Sequence, residues 1–251
     1  MKDTAIIING LVKDVCGLDI SSDIEKAAAV DYSALTPDEI KKLLDAAMCK
    51  NHGGKMAGIM SLSTSPLMNM HCIERMKSGA AVCSHCFSAR MQGRYNTLRA
   101  KLIRNTFFLT SCDIPSEAVP VINANIFRFE AFGDLVNTLQ VKNYFTIAAA
   151  NPGTMFALWT KNPWIIADAM SEYGISKPDN INIILSSTLL NMSADVAAVA
   201  AKYDFVDKVF TVFDKDHAGD VEINCGARCC NTCRRCYTKT DGIELINELL
   251  K

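Results

Sequence analysis

From residue 58 onward, short apolar segments alternate with longer segments in which apolar residues recur at helical spacing. The short segments predict strands at 58–64, 125–131, 154–160, 181–187 and 207–213. The longer segments predict helices at 94–110, 136–149, 163–173, 193–203 and 241–250. Such alternation is typical of βα units whose strands lie parallel in one sheet. The sequence therefore predicts an α/β protein, either a full or partial parallel βα barrel or an open doubly wound sheet.

The beginning of the chain has a different pattern and is predicted to form a helical appendage to this sheet. Thr36 can cap a helix, Pro37 suits the first helical position, and Glu39 can complete a capping box. Apolar residues then follow at helical spacing. We therefore expect a helical segment over residues 1–54 and a βα domain over residues 55–251.

Composition and charge are those of an ordinary globular protein. With 251 residues, 49% of them hydrophobic, the chain can bury one substantial core. The net charge of −1 gives no overall attraction to nucleic acid or to anionic membranes. The N-terminus has no cleavable signal, and no apolar run reaches the roughly 18 residues of a membrane span. We therefore expect a cytoplasmic protein without a membrane partner.

Polar residues stand where the predicted strands end. Ligands of parallel α/β folds bind at the carboxyl ends of the strands. Loops are polar in most proteins, so one polar residue at such a position carries little information. Polar residues recur, however, at the carboxyl end of every predicted strand. This recurrence favours a barrel with a binding site at the carboxyl ends of its strands. The candidates include Glu130, Asp134, Lys161, Ser186 and Ser187.

The eleven cysteines carry the strongest chemical signal in the sequence. Thiolates at spacings of two or three residues can converge on one soft metal ion or one iron–sulfur cluster. In a cytoplasmic protein, clustered cysteines hold metal more often than they form disulfides. The candidate ligands form an early group, Cys72, Cys83 and Cys86, and a late group, Cys225, Cys229, Cys230, Cys233 and Cys236.

The late group contains two overlapping spacings. Cys230, Cys233 and Cys236 have the C-x2-C-x2-C spacing of ferredoxins, which hold a 4Fe–4S cluster. Cys229, Cys233 and Cys236 have the C-x3-C-x2-C spacing of radical S-adenosylmethionine (SAM) enzymes, in which one iron stays open. Adjacent Cys229 and Cys230 point in different directions, so we do not expect both to bind one cluster.

The early group needs a fourth ligand, and zinc is the alternative to an iron–sulfur cluster. The C-x2-C pairs, one in each group, could together form a tetrahedral four-thiolate zinc site. The first and last strands are neighbours in a closed barrel, so that fold would bring the two groups together. The candidates for the fourth ligand of the early group are Cys112, Cys225 and Cys229.

Several short motifs resemble those of a known group of proteins. These are C-x2-C-F at residues 83–87, Phe127-Arg128-Phe129-Glu130-x2-Gly133-Asp134, Leu158-Trp159-Thr160-Lys161 and the late cysteines. Together they resemble a group of phage-encoded cysteine-rich proteins, which in turn resemble radical SAM enzymes in their βα-barrel pattern. The similarity spans about residues 55–240. The order of the cysteine groups is inverted relative to radical SAM enzymes, because the compact spacing here follows the last strand.

The resemblance implies an iron–sulfur redox enzyme in the host cytoplasm, with one or two 4Fe–4S clusters and SAM as a candidate cofactor. An external electron donor and a small-molecule or nucleic-acid substrate would be its partners. Two structural alternatives remain, an ion pair between Arg128 and Glu130 inside the barrel and a solvated Lys161. The residues implied are Glu130, Asp134 and Lys161 as catalytic, and Gly133, Ser186 and Ser187 as cofactor-binding.

The competing hypothesis is a nucleic-acid or protein-binding module without catalysis, stabilised by zinc or a cluster. Basic residues follow the early group and interleave the late group, and such residues around a metal site can contact phosphates. Their alternative role is a solvated surface that also balances the charge of an anionic cluster. The residues are Arg90, Arg94, Arg99, Lys101 and Arg104, followed by Arg228, Arg234, Arg235 and Lys239.

Overall fold

In the part of the chain that the structure describes, seven strands form one sheet in which the spatial order follows the chain order. The computed structural model describes residues 2–78, 82–226 and 229–250. The first strand is antiparallel to the second, and all other neighbours are parallel. The strands are β1 (Cys49–Lys50), β2 (Met60–Leu62), β3 (Ile126–Phe129), β4 (Met155–Thr160), β5 (Ile181–Ser186), β6 (Lys208–Phe213) and β7 (Glu244–Leu249). The five predicted strands are therefore confirmed as β2 to β6.

Ten α-helices are present in the described part of the chain, and none is long and apolar enough to cross a membrane. Four of the five predicted helices are confirmed, as α6, α7, α8 and α9. Four 3-10 helices lie at Gly54–Met56, Pro66–Met68, Ser116–Ala118 and Arg235–Tyr237. The helices are α1 (Lys2–Cys16), α2 (Ser21–Ala28), α3 (Pro37–Ala47), α4 (Met70–Lys77), α5 (Phe87–Arg94), α6 (Asn96–Ser111), α7 (Thr138–Ala149), α8 (Pro163–Tyr173), α9 (Ser193–Ala200) and α10 (Cys230–Cys233).

The two faces of the sheet have different partners. On the outer face, buried side chains such as Phe127, Phe156 and Ile183 pack in one core with the helices. On the opposite, inner face, a smaller apolar cluster includes Ile184 and Phe210 together with residues of the late cysteine segment. This division follows from the strand order, since right-handed connections between successive parallel strands place the helices on one side. The cysteine segment therefore covers the face that the helices leave free.

The sheet is open, so the predicted closed barrel is not formed by the described residues. Closing the parallel strands into a barrel would require β7 to pair with β2. The corresponding edge of β2 is occupied by β1, which runs antiparallel through the pairs Cys49–Ser61 and Lys50–Met60. β1 and β7 are therefore the two edges of the sheet, and the carboxyl ends of β2 and β6 are not adjacent.

The predicted helix 241–250 is wrong, because this segment forms β7. Ile243, Ile246 and Leu249 recur at helical spacing, which favoured the helix. In the folded chain, the whole segment pairs with β6 from Lys208–Glu244 to Phe213–Leu249. The hydrogen bonds of an otherwise open strand edge outweigh the local helical pattern.

The N-terminal helices belong to the main core. Ile8 and Val12 of α1, Ile24 of α2 and Leu44 of α3 are buried in the same cluster as the outer face of the sheet. The predicted capping box of α3 is also present. Glu39 N donates to Thr36 Oγ1 at 3.4 Å, and Thr36 N donates to Glu39 Oε2 at 2.9 Å.

Candidate functional site

Four cysteines of the late group line one pocket against the inner face of the sheet. Lys55 and Ile246 belong to the same lining. The cysteine segment forms the one-turn helix α10 and then the 3-10 helix Arg235–Tyr237, with Arg234 at φ 55° between them. This sharp turn lets cysteines separated by three positions face the same space. The four are Cys225, Cys230, Cys233 and Cys236.

Polar residues of the sheet hold this segment in place. Asn182 Nδ2 on β5 donates to the carbonyl oxygens of Cys236 and Thr238, each at 3.1 Å. Cys225 N donates to the carbonyl oxygen of Asn247 on β7 at 2.9 Å. Tyr237 is buried in the inner apolar cluster. The segment is therefore fixed at both ends of the four-cysteine set.

Burial and neighbouring charges shift the pKa values of thiols in this set. Burial raises the pKa of Cys236 to about 12, and the charges of Cys225, Cys230 and Cys233 act in the same direction. Burial likewise raises the pKa of Cys225 and Cys230. Arg128 opposes this rise at Cys230 and Cys236, and Lys55 opposes it at Cys225. Without a cation the buried members stay protonated, and a thiophilic metal would displace their protons.

Cys229 is separate from this set. It does not line the pocket, and it precedes α10 as its N-terminal flanking residue. Hydrogen bonds from the backbone of Thr232 and Asn231 lower the pKa of its thiol. The geometry therefore distinguishes the C-x4-C-x2-C-x2-C set, which begins at Cys225, from the alternative that uses Cys229.

Arg128 is a cation without a carboxylate partner among the described residues. Its guanidinium lies 4.1 Å above the centre of the Trp159 ring, and Nη1 lies 3.5 Å from Met56 Sδ. Its Nε is buried and has no hydrogen-bond acceptor in the described part of the chain, and the same is true of Trp159 Nε1. The ion pair with Glu130 is not formed, because Glu130 adopts φ 53° and turns to the helix side, where it meets Tyr144.

A second cation, Lys55, lies at the other side of the pocket. Its Nζ forms an ion pair with Glu248 on β7 and donates to the carbonyl oxygen of Cys225 at 3.1 Å. The sulfur of Cys225 is 3.8 Å away from the same nitrogen. Lys55 was not among the site residues predicted from the sequence. A single lysine outside the cysteine groups and the predicted strand ends gives no signal of this kind.

All eleven cysteines are free thiols. Within residues 2–78, 82–226 and 229–250, no three or more His, Cys, Asp or Glu side chains are arranged as a group that could hold a metal ion. The late set thus shares a pocket but does not have the geometry of a formed metal site.

The early group lies among the residues that follow the strands at their carboxyl ends. Cys72 is on α4, Cys86 directly precedes α5, and Cys83 lies in the turn between them. Burial raises the pKa of Cys72 and Cys83, and the charges of Asp134 and Cys86 raise it further. Lys161 and Arg75 oppose the rise at both thiols. The early and late cysteine groups therefore have different neighbouring residues, as expected for an open sheet.

Glu130 is held in a buried hydrogen-bond network. Its carboxylate accepts from Thr64 N at 3.2 Å, from Gln140 Nε2 at 2.6 Å and from the hydroxyl of Tyr144. Burial raises its pKa to about 7, although these hydrogen bonds oppose the rise. Gly133 touches the same network, because a Cβ there would lie 2.6 Å from Glu130 Oε2. The Glu130 carboxylate thus links the ends of β2 and β3 to α7.

Asp134 is also engaged within the protein. It accepts from Thr160 Oγ1 at 2.6 Å and from Lys161 N at 3.0 Å, and Arg75 Nη1 lies 3.7 Å away. Lys161 Nζ donates to Ser186 Oγ at 3.1 Å. The structure thus brings Asp134, Lys161 and Ser186 together beside the early group, and it adds Arg75, which the sequence did not indicate.

Ser187 serves the loop that follows β5. Its Oγ donates to the carbonyl oxygen of Leu189 at 2.5 Å and accepts from Leu189 N at 3.1 Å. Among the basic residues that interleave the late group, Arg234, Arg235 and Lys239 bond to Asn231, Glu244 and Ile181. Arg228, which was predicted to contact phosphates, lies outside the described residues.

Comparison with known proteins gives one finding. Searches against curated proteins and against solved structures gave no match. The family model for gene product 88 matches residues 39–245, which is most of the chain and includes both cysteine groups. The chain therefore belongs to the gene product 88 family, a phage-type family.

Proposed function

We propose that this protein is an iron–sulfur redox protein in which the late set, Cys225, Cys230, Cys233 and Cys236, holds a 4Fe–4S cluster. The observation that carries the proposal is the shared pocket of these four thiols beside an unpaired guanidinium. Their spacing has the two successive x2 gaps of ferredoxin ligands. The four thiols would have to come closer together to bind it, since they do not form a metal-binding group among the described residues.

The charge of the pocket supports an anionic occupant. Arg128 is half-buried and has no carboxylate partner among the described residues, and a metal–thiolate group carries net negative charge. Arg128 would compensate that charge on the sheet side and Lys55 on the β7 side. The two buried donors without acceptors, Arg128 Nε and Trp159 Nε1, would find acceptors in cluster sulfur atoms.

The early group is the second part of the proposal. Cys72, Cys83 and Cys86 would supply three thiolates at the carboxyl end of the strands, where Lys161 and Arg75 oppose the rise that burial causes in the pKa of Cys72 and Cys83. A cluster held by three thiolates keeps one position for an exogenous ligand, so this is the proposed reactive site. SAM is the candidate cofactor there and needs an external electron donor. Lys161 and Ser186, rather than Glu130, are then the side chains that contact the ligand.

Metal analysis of the anaerobically purified chain tests the late set. We expect a brown protein with about four iron and four sulfide per occupied site. Single Ser variants of Cys225, Cys230, Cys233 and Cys236 should lose this content, whereas Cys229→Ser, the matched control in the same segment, should keep it. A colourless protein with zinc and no sulfide would contradict the cluster and support the zinc-stabilised module.

A separate variant tests the early group. If it holds its own cluster, Cys83→Ser combined with Cys86→Ser should halve the iron content and leave the late set occupied. The reduced wild-type protein should then cleave SAM, and the double variant should not. Unchanged iron content in the double variant would overturn the second site without affecting the first.

A further inference from the structure

The segment between the early group and β3 is strongly basic, although the whole chain carries a net charge of −1. Residues 75–112 contain seven Lys and Arg and no Asp or Glu. Three of the seven are engaged within the protein. Arg75 donates to Asn162 Oδ1, Arg99 forms an ion pair with Asp23, and Lys101 donates to the carbonyl oxygen of Met48.

Two others are free at the surface of α5. Arg90 and Arg94 are exposed, and neither has an ion pair or a hydrogen bond from its side chain to the described residues. They lie on the same side of α5 as Phe87, because the three residues are separated by three and four positions. The opposite side of the helix, with Ser88, Ala89 and Gln92, is buried. One face of α5 is therefore basic and aromatic.

The aromatic part of this face is unusually open. The side chain of Phe87 is 59% exposed, and Tyr95 directly after the helix is 52% exposed. Phe87 lies parallel to Phe132, with the ring centres 6.5 Å apart and an interplanar angle of 19°. Phe132 belongs to the loop after β3, two residues before Asp134. The two stacked rings thus form an aromatic surface near the carboxyl end of β3.

A polar pocket adjoins the same helix. Ser84, His85 and Arg90 line it together with apolar residues from the end of α1. Hydroxyl, imidazole and guanidinium groups are the donors that contact phosphate oxygens in nucleic-acid complexes. The pocket therefore adds further phosphate donors next to the basic and aromatic face of α5.

We propose that this face of α5, defined by Phe87, Arg90, Arg94, Tyr95 and Phe132, binds single-stranded nucleic acid. Unpaired bases stack on exposed aromatic rings, while basic side chains follow the backbone. Duplex DNA offers the same phosphates, but its bases are stacked on one another and cannot cover Phe87. The surface shares no residue with the late set, so it is tested separately from the late cluster, and Cys86 of the proposed early site directly precedes it.

Fluorescence anisotropy with labelled oligothymidylate and oligouridylate of about 20 nucleotides tests this surface, since a strand of that length exceeds the usual site size. Phe87→Ala should weaken binding about tenfold, and Phe87→Trp, which keeps a ring, should retain it. The double variant Arg90→Ala/Arg94→Ala should lower the slope of log Kd against log salt by about 1.4. The matched control removes two exposed lysines from α3, as Lys41→Ala/Lys42→Ala.

The binding measurements distinguish a specific site on α5 from nonspecific charge attraction. Loss of affinity in the α5 variants, with wild-type affinity in the α3 control and weaker binding of a duplex of equal length, supports the proposal. Equal effects of the α5 and α3 variants, equal affinity for duplex, or no binding at about 50 mM salt, where such contacts are strongest, overturns it. Iron content measured on the same samples shows whether the metal site is intact, so failure here is distinct from failure of the cluster.

Discussion

The guanidinium of Arg128 lies 4.1 Å above the ring of Trp159 on the inner face of the sheet. The two residues are on neighbouring strands, β3 and β4. The indole face offsets part of the cost of burying the cation, but it neutralises no charge. The cation is therefore available to whatever occupies the adjacent pocket of thiols.

This relationship gives an expectation for the iron–sulfur cluster that we propose for the late set. Replacing Arg128 by Met removes one positive charge close to the cluster and makes reduction less favourable. We expect the reduction potential to fall by an amount on the order of tens of millivolts. A redox titration followed by electron paramagnetic resonance measures the change. Arg128→Lys, which keeps the charge, is the control, and an unchanged potential in the Met variant would contradict the assigned role.

The raised pKa of Glu130 makes folding stability depend on pH. Its pKa is 4.5 in the unfolded reference and about 7 in the folded chain, so the folded state binds the proton more tightly. Stability is therefore greatest below pH 4.5 with respect to this group and falls as the pH rises towards 7. The full loss is roughly 3 kcal/mol.

Glu130→Gln should remove this pH dependence, because the amide stays neutral throughout. Urea unfolding between about pH 5 and pH 8 measures the free energy of unfolding of both proteins. The exposed Glu117, changed to Gln, serves as the control and should leave the wild-type dependence intact. Identical pH profiles for wild type and Glu130→Gln would contradict the raised pKa of Glu130 in the folded chain.

Gly133 should tolerate no side chain. A Cβ at this position would lie 2.6 Å from both Glu130 Oε2 and the carbonyl oxygen of Thr64, and backbone atoms cannot move aside cheaply. We expect Gly133→Ala to lower the free energy of unfolding by about 1–3 kcal/mol. Gly153→Ala is the control, since nothing lies within 4 Å of its Cβ. Thermal and urea unfolding distinguish the two, and equal stabilities would show that the loop relaxes freely.

The thiols of the metal-free protein should differ in reactivity. Backbone hydrogen bonds lower the pKa of Cys229, whereas burial raises the pKa of Cys112 to about 11. Because the thiolate is the nucleophile, we expect Cys229 to be alkylated at least about a hundredfold faster near neutral pH. Timed iodoacetamide labelling followed by peptide mass spectrometry reports each site. Labelling in denaturant is the control and should remove the difference, and equal rates in the native protein would contradict the structure.

The strands were predictable because their sequences are continuously apolar. Phe156, Leu158, Ile183 and Val209 are buried on the outer face, and residues between them are buried on the inner face. A strand covered on both sides is a short continuous apolar run, and its short length and the turn residues beside it distinguish it from a helix. The prediction for residues 241–250 was wrong for the opposite reason. β7 is an edge strand, and its Leu245 and Leu249 stay partly exposed.

The candidate site was predictable in part. Cysteine spacing indicated the late set, but it left open which of Cys225, Cys229 and Cys230 belong to it. The choice depends on the left-handed turn at Arg234 and on the bond from Cys225 N to β7. Likewise, the strand-end positions of Glu130 and Asp134 were correct, while their engagement by Tyr144, Thr160 and Lys161 follows only from packing.

By itself, the sequence determined the alternation of strands and helices, the capped helix α3 and the concentration of thiols in two groups, because these depend on neighbours along the chain. Tertiary structure alone decided that the sheet stays open, that the last segment is a strand and that Arg128 has no carboxylate partner among the described residues. These features depend on contacts between residues far apart in sequence. Three sets of contacts decide these features. They are the pairing of β7 with β6, the hydrogen bond between Glu130 and Tyr144 on the helix side, and the hydrogen bonds from the cysteine segment to β5 and β7.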